Sequence, residues 1–270
     1  MTMTNDEAAS LARDLSGRSG FAKDVTGGSS VVFVKTLTEL KAANVRGNII
    51  LADPTLPLET TWSTASFNLA DDTTFDAPAG NLTLLGSVRP GNNCIVRRVG
   101  FGRYGAAADI AWIDPATKSN IWFDENRIVG PSNDGGLDIA ASTLTDASPP
   151  CYVTVSNCTF ENVDKTMLVD SLLTHLSEPK IFLTLTGNKF VNCKQRMPSA
   201  GYNALVHAHY NEIGLAADGV MGMLCRGGKL IATGNKFSGP AGQQSVEIWD
   251  GGTFVDGGND WGPLLPPITR

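Results

Sequence analysis

The sequence predicts an all-β chain folded as a single-stranded right-handed parallel β-helix, and three observations lead there. Six stretches share one strand ending: CIVRRVGF (94–101), NIWFDENRI (120–128), YVTVSNCTF (152–160), FLTLTGNKF (182–190), LVHAHYNEI (205–213) and KLIATGNKF (229–237). Aligned on their last residue, Phe101, Ile128, Phe160, Phe190, Ile213 and Phe237, they recur at intervals of 27, 32, 30, 23 and 24 residues. An interval with a firm minimum and variable excess is one solenoid coil carrying loops of different length. Val, Ile, Thr and Phe dominate these stretches and Gly recurs, which favours strands over helices.

Each coil is too short to bury its own apolar face, so the coils must stack. Stacking makes the Phe/Ile positions an internal ladder and sets Asn126, Asn188, Asn211 and Asn235 in a second one. Asn suits a tight bend, because it tolerates left-handed backbone and its amide can bond along the stack. At the N-terminus, Ala8, Leu11, Ala12 and Leu15 recur at helical spacing after Thr4 or Asn5, a candidate N-cap. A short helix here would cover the open end of the solenoid. The expected division is therefore a capping segment at 1–19, a β-helix at 20–240, and an extended Gly/Pro-rich C-terminal tail packed on the helix at 241–270.

Of 270 residues, 42% are hydrophobic, enough for a sizeable core, and no apolar run reaches membrane-spanning length. The opening segment has neither a basic n-region nor an apolar h-region, so no signal peptide is expected. The net charge is −6 without any Lys/Arg cluster, which excludes a nucleic-acid footprint. An anionic ligand would then need a local cation. The five cysteines form no CxxC pair, which argues for buried free thiols rather than a zinc site or a disulfide framework. His207 and His209 are read as core or ladder histidines on opposite faces of one strand, and Trp112 and Trp122 as buried aromatics.

One stretch breaks the strand rhythm: VNCKQRMPSAG (191–201) sets Lys194, Arg196 and Pro198 between two strands. Either it is an ordinary surface turn, or it arches over a groove with Arg196 facing inward; Pro198 fits both, since proline leaves the ladder. A resemblance favours the second. GFAKDVTGGSSVVFVKTLTEL (20–40), NLTLLGS (81–87), NIWFDENRI, DGGLDI (134–139), VTVSNCTFENVDKTMLVDS (153–171) and GNKFVNCKQRMPSAGYNALVH (187–207) resemble, in the correct order, segments of the pectate lyases of polysaccharide lyase family 1. The similarity runs through roughly residues 17 to 240.

That resemblance implies Ca²⁺-dependent β-elimination on an acidic, uronate-containing polysaccharide. The C5 proton, α to the carboxylate, leaves before the C4 glycosidic oxygen departs. Ca²⁺ neutralises the charge that develops on the carboxylate. It implies Asp134 and Asp138 as metal ligands, with Asp109 as a third. Arg196, matching the first Arg of an Arg-x-Pro-x-x-Arg motif, is the implied base, and Lys165 the residue contacting the substrate carboxylate. Lys194, in the same turn as Arg196, is taken as a further substrate contact. A guanidinium gives up its proton reluctantly, so activity is expected to be highest at alkaline pH.

The chain departs from the family pattern at two cleft positions. Ala107 stands where a further aspartate is expected, and Gly201 where the second Arg of the motif should be. Glu125 and Val163 each replace a histidine, changes expected to affect packing outside the cleft. These losses keep a second reading open: a non-catalytic carbohydrate-binding or structural β-helix, such as a phage tail spike or capsid decoration protein. Either reading expects the chain to work outside the cell or on a virion surface, with a homo-oligomer or virion assembly as partner.

Overall fold

A computed structural model describes residues 3–104, 109–131, 135–141, 143–172 and 174–270. Among them the chain climbs through stacked coils whose strands all pair in parallel. The first face is a ten-stranded sheet from Ser30–Val34 to Thr253–Gly257. The second face holds short strands such as Gly100–Gly102, Arg127–Val129, Thr159–Glu161 and Lys189–Cys193. The third begins with Ala111–Ile113, Leu137–Ile139, Leu168–Val169 and Ser199–Ala200. Two early strands, Thr60–Asn68 and Leu82–Arg89, run across both of the latter faces without a break.

The register fulfils the ladder read from the sequence. Phe101 pairs with Ile128, Ile128 with Phe160, Phe160 with Phe190, Phe190 with Ile213, and Ile213 with Phe237. All are buried, and the Phe160 and Phe190 rings stack with centroids 4.9 Å apart. On the first face Ile50, Phe75, Val96, Phe123, Val155 and Leu185 form a parallel inward column. Each such side chain, fully withdrawn from water, contributes about 1.5–3 kcal/mol. The core is thus one axial column rather than a central ball.

The asparagine ladder forms from Asn188 onward and runs one rung further than expected, but Cys158 interrupts it, so Asn126 stands apart and accepts the Val99 N–H at 3.1 Å. The Cys158 N–H donates to Asn188 Oδ1, the Asn188 N–H to Asn211 Oδ1, and the Asn211 N–H to Asn235 Oδ1, each at 2.9 Å. Asn259 adds a further rung by accepting from the Asn235 N–H at 3.0 Å. The left-handed backbone is not at these asparagines, however. It falls one residue earlier, on Glu125, Gly187, Tyr210 and Gly234. The bend is made there, and the asparagine amide is left in the interior to bond along the stack.

The termini are placed differently from the sequence reading. Helix α1 (Asn5–Arg13) is N-capped by Thr4, with Glu7 completing a capping box. Its Ala8 and Ala12 pack on Ile49 and Leu51, which point outward from the first face. It is helix α2 (Leu37–Ala43), after the edge strand Ser30–Val34, that sends Leu40 and Ala43 into the main core. From α1 the chain runs along the outer first face: the Phe21 and Ala22 N–H groups donate to Thr184 and Thr154 hydroxyls, both at 3.1 Å. At the other end, within 241–270, Gln244–Trp249 and Thr253–Gly257 pair with Met221–Arg226 and Lys229–Thr233, continuing the coils.

Two further expectations meet the geometry. The five cysteines are free and buried, as read. His207 and His209 do not face opposite ways: residues two apart on a strand share a side. Their rings lie 5.7 Å apart on the outer first face, while Val206 and Ala208 point inward.

Candidate active site

Of the sequence-predicted residues, Asp109, Asp138, Lys165 and Arg196 lie on neighbouring coils near the entry to the third face. Gly135 forms a parallel bridge with Lys165, and Lys165 another with Gln195. One rung earlier, the Ile110 N–H donates to the Gly135 carbonyl at 3.1 Å. Rungs are about 4.8 Å apart, so Gly135, Lys165 and Gln195 span only about 10 Å of the wall. Asp109 precedes the first of these rungs and Arg196 follows the last.

Two carboxylates gather on Gly135. Its N–H donates to Asp109 Oδ1 at 3.0 Å. A Cβ built on it would lie 2.3 Å from Asp138 Oδ1, so only glycine leaves room for that carboxylate. Asp138 is nearly buried and accepts the Leu168 N–H at 2.9 Å. Leu137 and Ile139 point into the core, which turns Asp138 outward on the same rung position as Trp112 of the preceding coil. Asp134 and Ala107 lie outside the described residues. Among the described residues no three His, Cys, Asp or Glu side chains converge as a metal cluster. Asp109 and Asp138 are hard oxygen donors of the kind Ca²⁺ takes, and a full shell of six to eight oxygens would need others.

Arg196 sits with φ +61°, a left-handed conformation that costs a non-glycine residue about 1–2 kcal/mol. Its carbonyl accepts the Met167 N–H at 2.9 Å, which pins the turn to the coil below. The side chain is half-buried, and its Nε is shielded from water without a hydrogen-bond partner. A shielded charged donor without a partner is what a substrate carboxylate or hydroxyl would satisfy. Beside it, the Gln195 amide nitrogen reaches Asp164 Oδ1 at 3.3 Å.

Lys194 is not part of this group in the same way. Its Nζ lies 2.5 Å from Asp218 Oδ2 on an exposed loop, and that bond raises the ammonium's pKa. Trp122 is buried on the first face, its indole N–H donating to Ser156 Oγ at 2.7 Å with Arg97 over the ring. Trp112 is only half-buried and faces outward with Arg89 5.2 Å from its ring centroid, contrary to the expectation of a buried aromatic. Val163 points into the core and Glu125 sits exposed on the bend between the first and second faces. Gly135 and Gln195 are the contributors that the sequence reading missed. The glycine pair inside DGGLD was the available signal, since acid side chains around a glycine need its missing Cβ.

Stacked parallel coils with carboxylates, a lysine and an arginine gathered at the entry to one face define a β-helix solenoid with a mixed-charge cleft wall. The chain belongs to the pectate lyase family, whose model matches residues 87–262. It is 30% identical over 206 residues to a pectate trisaccharide-lyase of Thermotoga sp. (strain RQ2), covering 70% of this chain and 53% of that one. It is 27% identical over 184 residues to pectate lyase 2 of Ambrosia artemisiifolia, covering 60% and 44%. The chain thus spans about half the length of these curated relatives. A mutant Bacillus subtilis pectate lyase superposes with a TM-score of 0.72 at 17% identity, over 92% of this chain and 87% of that one. Another Bacillus pectate lyase, solved in complex with trigalacturonate, gives 0.58 at 18% identity over 88% and 87%.

Proposed function

We propose that this chain is a lyase that cleaves a uronate polysaccharide, pectate or a close relative, by β-elimination. The observation that carries the reading is the run of adjacent rungs holding Asp109, Gly135 with Asp138, Lys165, and Gln195–Arg196 along one wall. A solved relative holds trigalacturonate, the matching class of substrate. Lys165 binds the uronate carboxylate and fixes the sugar ring over the wall. Arg196 stands at C5 and, having first given its own proton to a hydroxide ion from the alkaline solvent, takes the C5 proton through the freed nitrogen lone pair. The electron pair left at C5 forms the C4–C5 double bond as the C4–O4 bond breaks, and the leaving oxygen collects a proton from water. Ca²⁺, held by Asp109 and Asp138 together with Asp134, would supply positive charge to the same carboxylate and ease loss of the C5 proton.

Incubation with polygalacturonate and Ca²⁺ at alkaline pH tests this, through the ultraviolet absorbance of the 4,5-unsaturated product. Product formation abolished by a chelator and by Arg196→Ala is the expected result. Since the polymer is extracellular, the protein would act outside the cell. A second reading, a carbohydrate-binding or virion scaffold without turnover, draws on Gly201: a Cβ there would lie 2.8 Å from both the Val169 and Asp170 carbonyl oxygens. The second arginine of the family motif has no room. Silence across a panel of uronate polymers would favour that reading.

A further inference from the structure

A groove of about 730 Å³ opens on the outer surface of the second face, separate from the wall that carries Lys165 and Arg196. Its origin is legible in the register. The outward positions of one rung are Gly100 and Gly102, whereas the rungs on either side present Thr83 and Leu85, then Arg127 and Val129. Two missing side chains on a single rung cut a notch across an otherwise continuous surface. A Cβ on Gly102 would meet Leu85 Cδ2 at 2.9 Å, so the neighbouring side chain leans over the notch.

Three arginines, Arg98, Arg103 and Arg127, are among the residues lining this groove, together with Glu59 and with Glu125, whose carboxylate lies 3.8 Å from Arg97. Two of the three are engaged. Arg98 grips the buried Asp76 with both Nε, at 2.9 Å, and Nη2, and Arg127 Nη2 reaches Glu161 at 2.7 Å. Arg103 differs: its Nε is shielded from water with no hydrogen-bond partner, and no ion pair joins it to another described residue. A buried, unsatisfied charged donor is costly unless a ligand supplies the acceptor. The planar guanidinium fork matches a carboxylate in bidentate geometry. Glu59 and Glu125 offer acceptors to hydroxyl groups, and the volume lies within the range of small-ligand sites.

We propose that this groove is a second, non-catalytic binding site for an oligouronate, with Arg103 holding a sugar carboxylate and the glycine floor letting the ring lie close to the strand. The inference goes beyond the proposed reaction and rests on that reading only for the choice of sugar. A second grip on the polymer would keep it near the cleft between cuts by raising its effective concentration.

Trigalacturonate is titrated calorimetrically into the full chain carrying Arg196→Ala, so that the sugar is not consumed. Arg103→Ala and, separately, Gly102→Val are then added in that background, with thermal melting as the control for folding. The expected result is two sites, one of which weakens about tenfold in Arg103→Ala and disappears when valine fills the notch. A neutral trigalactoside is expected to leave the groove empty. Unchanged binding in a folded Arg103→Ala protein, or equal binding of the neutral sugar, overturns the proposal; should Gly102→Val fail to fold, Arg103→Ala still decides. Failure of the lyase reading is scored separately, as absence of unsaturated product from the unsubstituted chain.

Discussion

Lys165 stands in parallel register with Gln195 of the next coil, so Arg196 lies diagonally one rung away from it. Two cationic residues separated by thirty-one positions in sequence are thereby brought to neighbouring coils at the entry to the third face, and the left-handed backbone of Arg196 interrupts the strand alternation there. The pairing follows from coil length alone: Lys165 and Gln195 are thirty residues apart, as are Phe160 and Phe190 of the core ladder. A loop longer or shorter by one residue would turn one of the pair toward the core.

Replacing Arg196 should therefore separate chemistry from stability. Its Nε has no partner in the fold, so Arg196→Ala removes no hydrogen bond made by that atom. The expected outcome is a loss of at least about a hundredfold in kcat with little change in melting temperature. Arg196→Lys should not rescue it, because the compact ammonium lacks the planar fork. Initial rates on polygalacturonate paired with thermal melts check both. A variant that keeps its rate would remove Arg196 from the reaction.

Gly135 offers a test of the metal assignment that leaves every proposed ligand in place. Gly135→Ala introduces a Cβ where Asp138 Oδ1 now lies 2.3 Å away, forcing the carboxylate aside. Ca²⁺ affinity, measured by calorimetry without substrate, is expected to fall about tenfold or more. Equal affinity in both proteins would mean that Asp138 does not contribute to the cation site.

What could be read from the sequence was whatever repeats. The Phe/Ile ladder was legible because each coil states it again, and the asparagine ladder because four of the six quoted strand endings carry it, Val99 and Cys158 taking the other two positions. The ends were not. Helix α1 has the amphipathic spacing of a cap, yet spacing alone does not say which apolar surface receives it; Ile49 and Leu51 on the outer first face compete successfully with the open end. The tail looked irregular because its glycines and prolines mask one more strand ending, TFVDGGNDW (253–261), in which Asn259 supplies the next asparagine rung and Trp261 packs on Phe237 with ring centroids 4.8 Å apart. At the candidate site the charged residues were visible through family resemblance, but Gly135 and Gln195 act through position and carry no chemical signature.

Gly201 shows how a lost side chain can be fixed in the backbone. A Cβ there would lie 2.8 Å from two carbonyl oxygens, Val169 and Asp170, neither of which can rotate away. Gly201→Arg should then fail to restore a clamp and instead destabilise the protein by about 1–3 kcal/mol or more. Denaturant unfolding of the variant is the measurement. A stable, more active Gly201→Arg protein would show that the coil can open to admit the side chain.

The cysteines should be inert while the fold is intact. Burial pushes the thiols of Cys94, Cys151 and Cys158 up to about 12, so almost no thiolate exists near neutral pH. A thiol-reactive disulfide reagent is expected to label none of the three in the native protein and all of them in denaturant. Rapid native labelling would mean that the coils open locally.

The strap on the first face should respond to acid. Phe21 packs on His207 at 4.9 Å and on Phe182 at 5.4 Å. Burial lowers the pKa of both His207 and His209 below the ordinary 6.5, and for His207 the neighbouring His209 and Lys229 add to the effect. Between the ordinary value and the lowered one, the released segment binds more protons than the docked one. Docking is therefore complete above about pH 6.5 and weakens as the pH falls through the lowered pKa. Trypsin cleavage after Lys23, an exposed residue in this strap, is expected to accelerate on acidification relative to a control peptide. In His207→Gln the acceleration should shrink, because His209 alone then titrates beneath the strap. A cleavage rate that tracks trypsin's own pH profile in both proteins would show that the histidines do not govern docking.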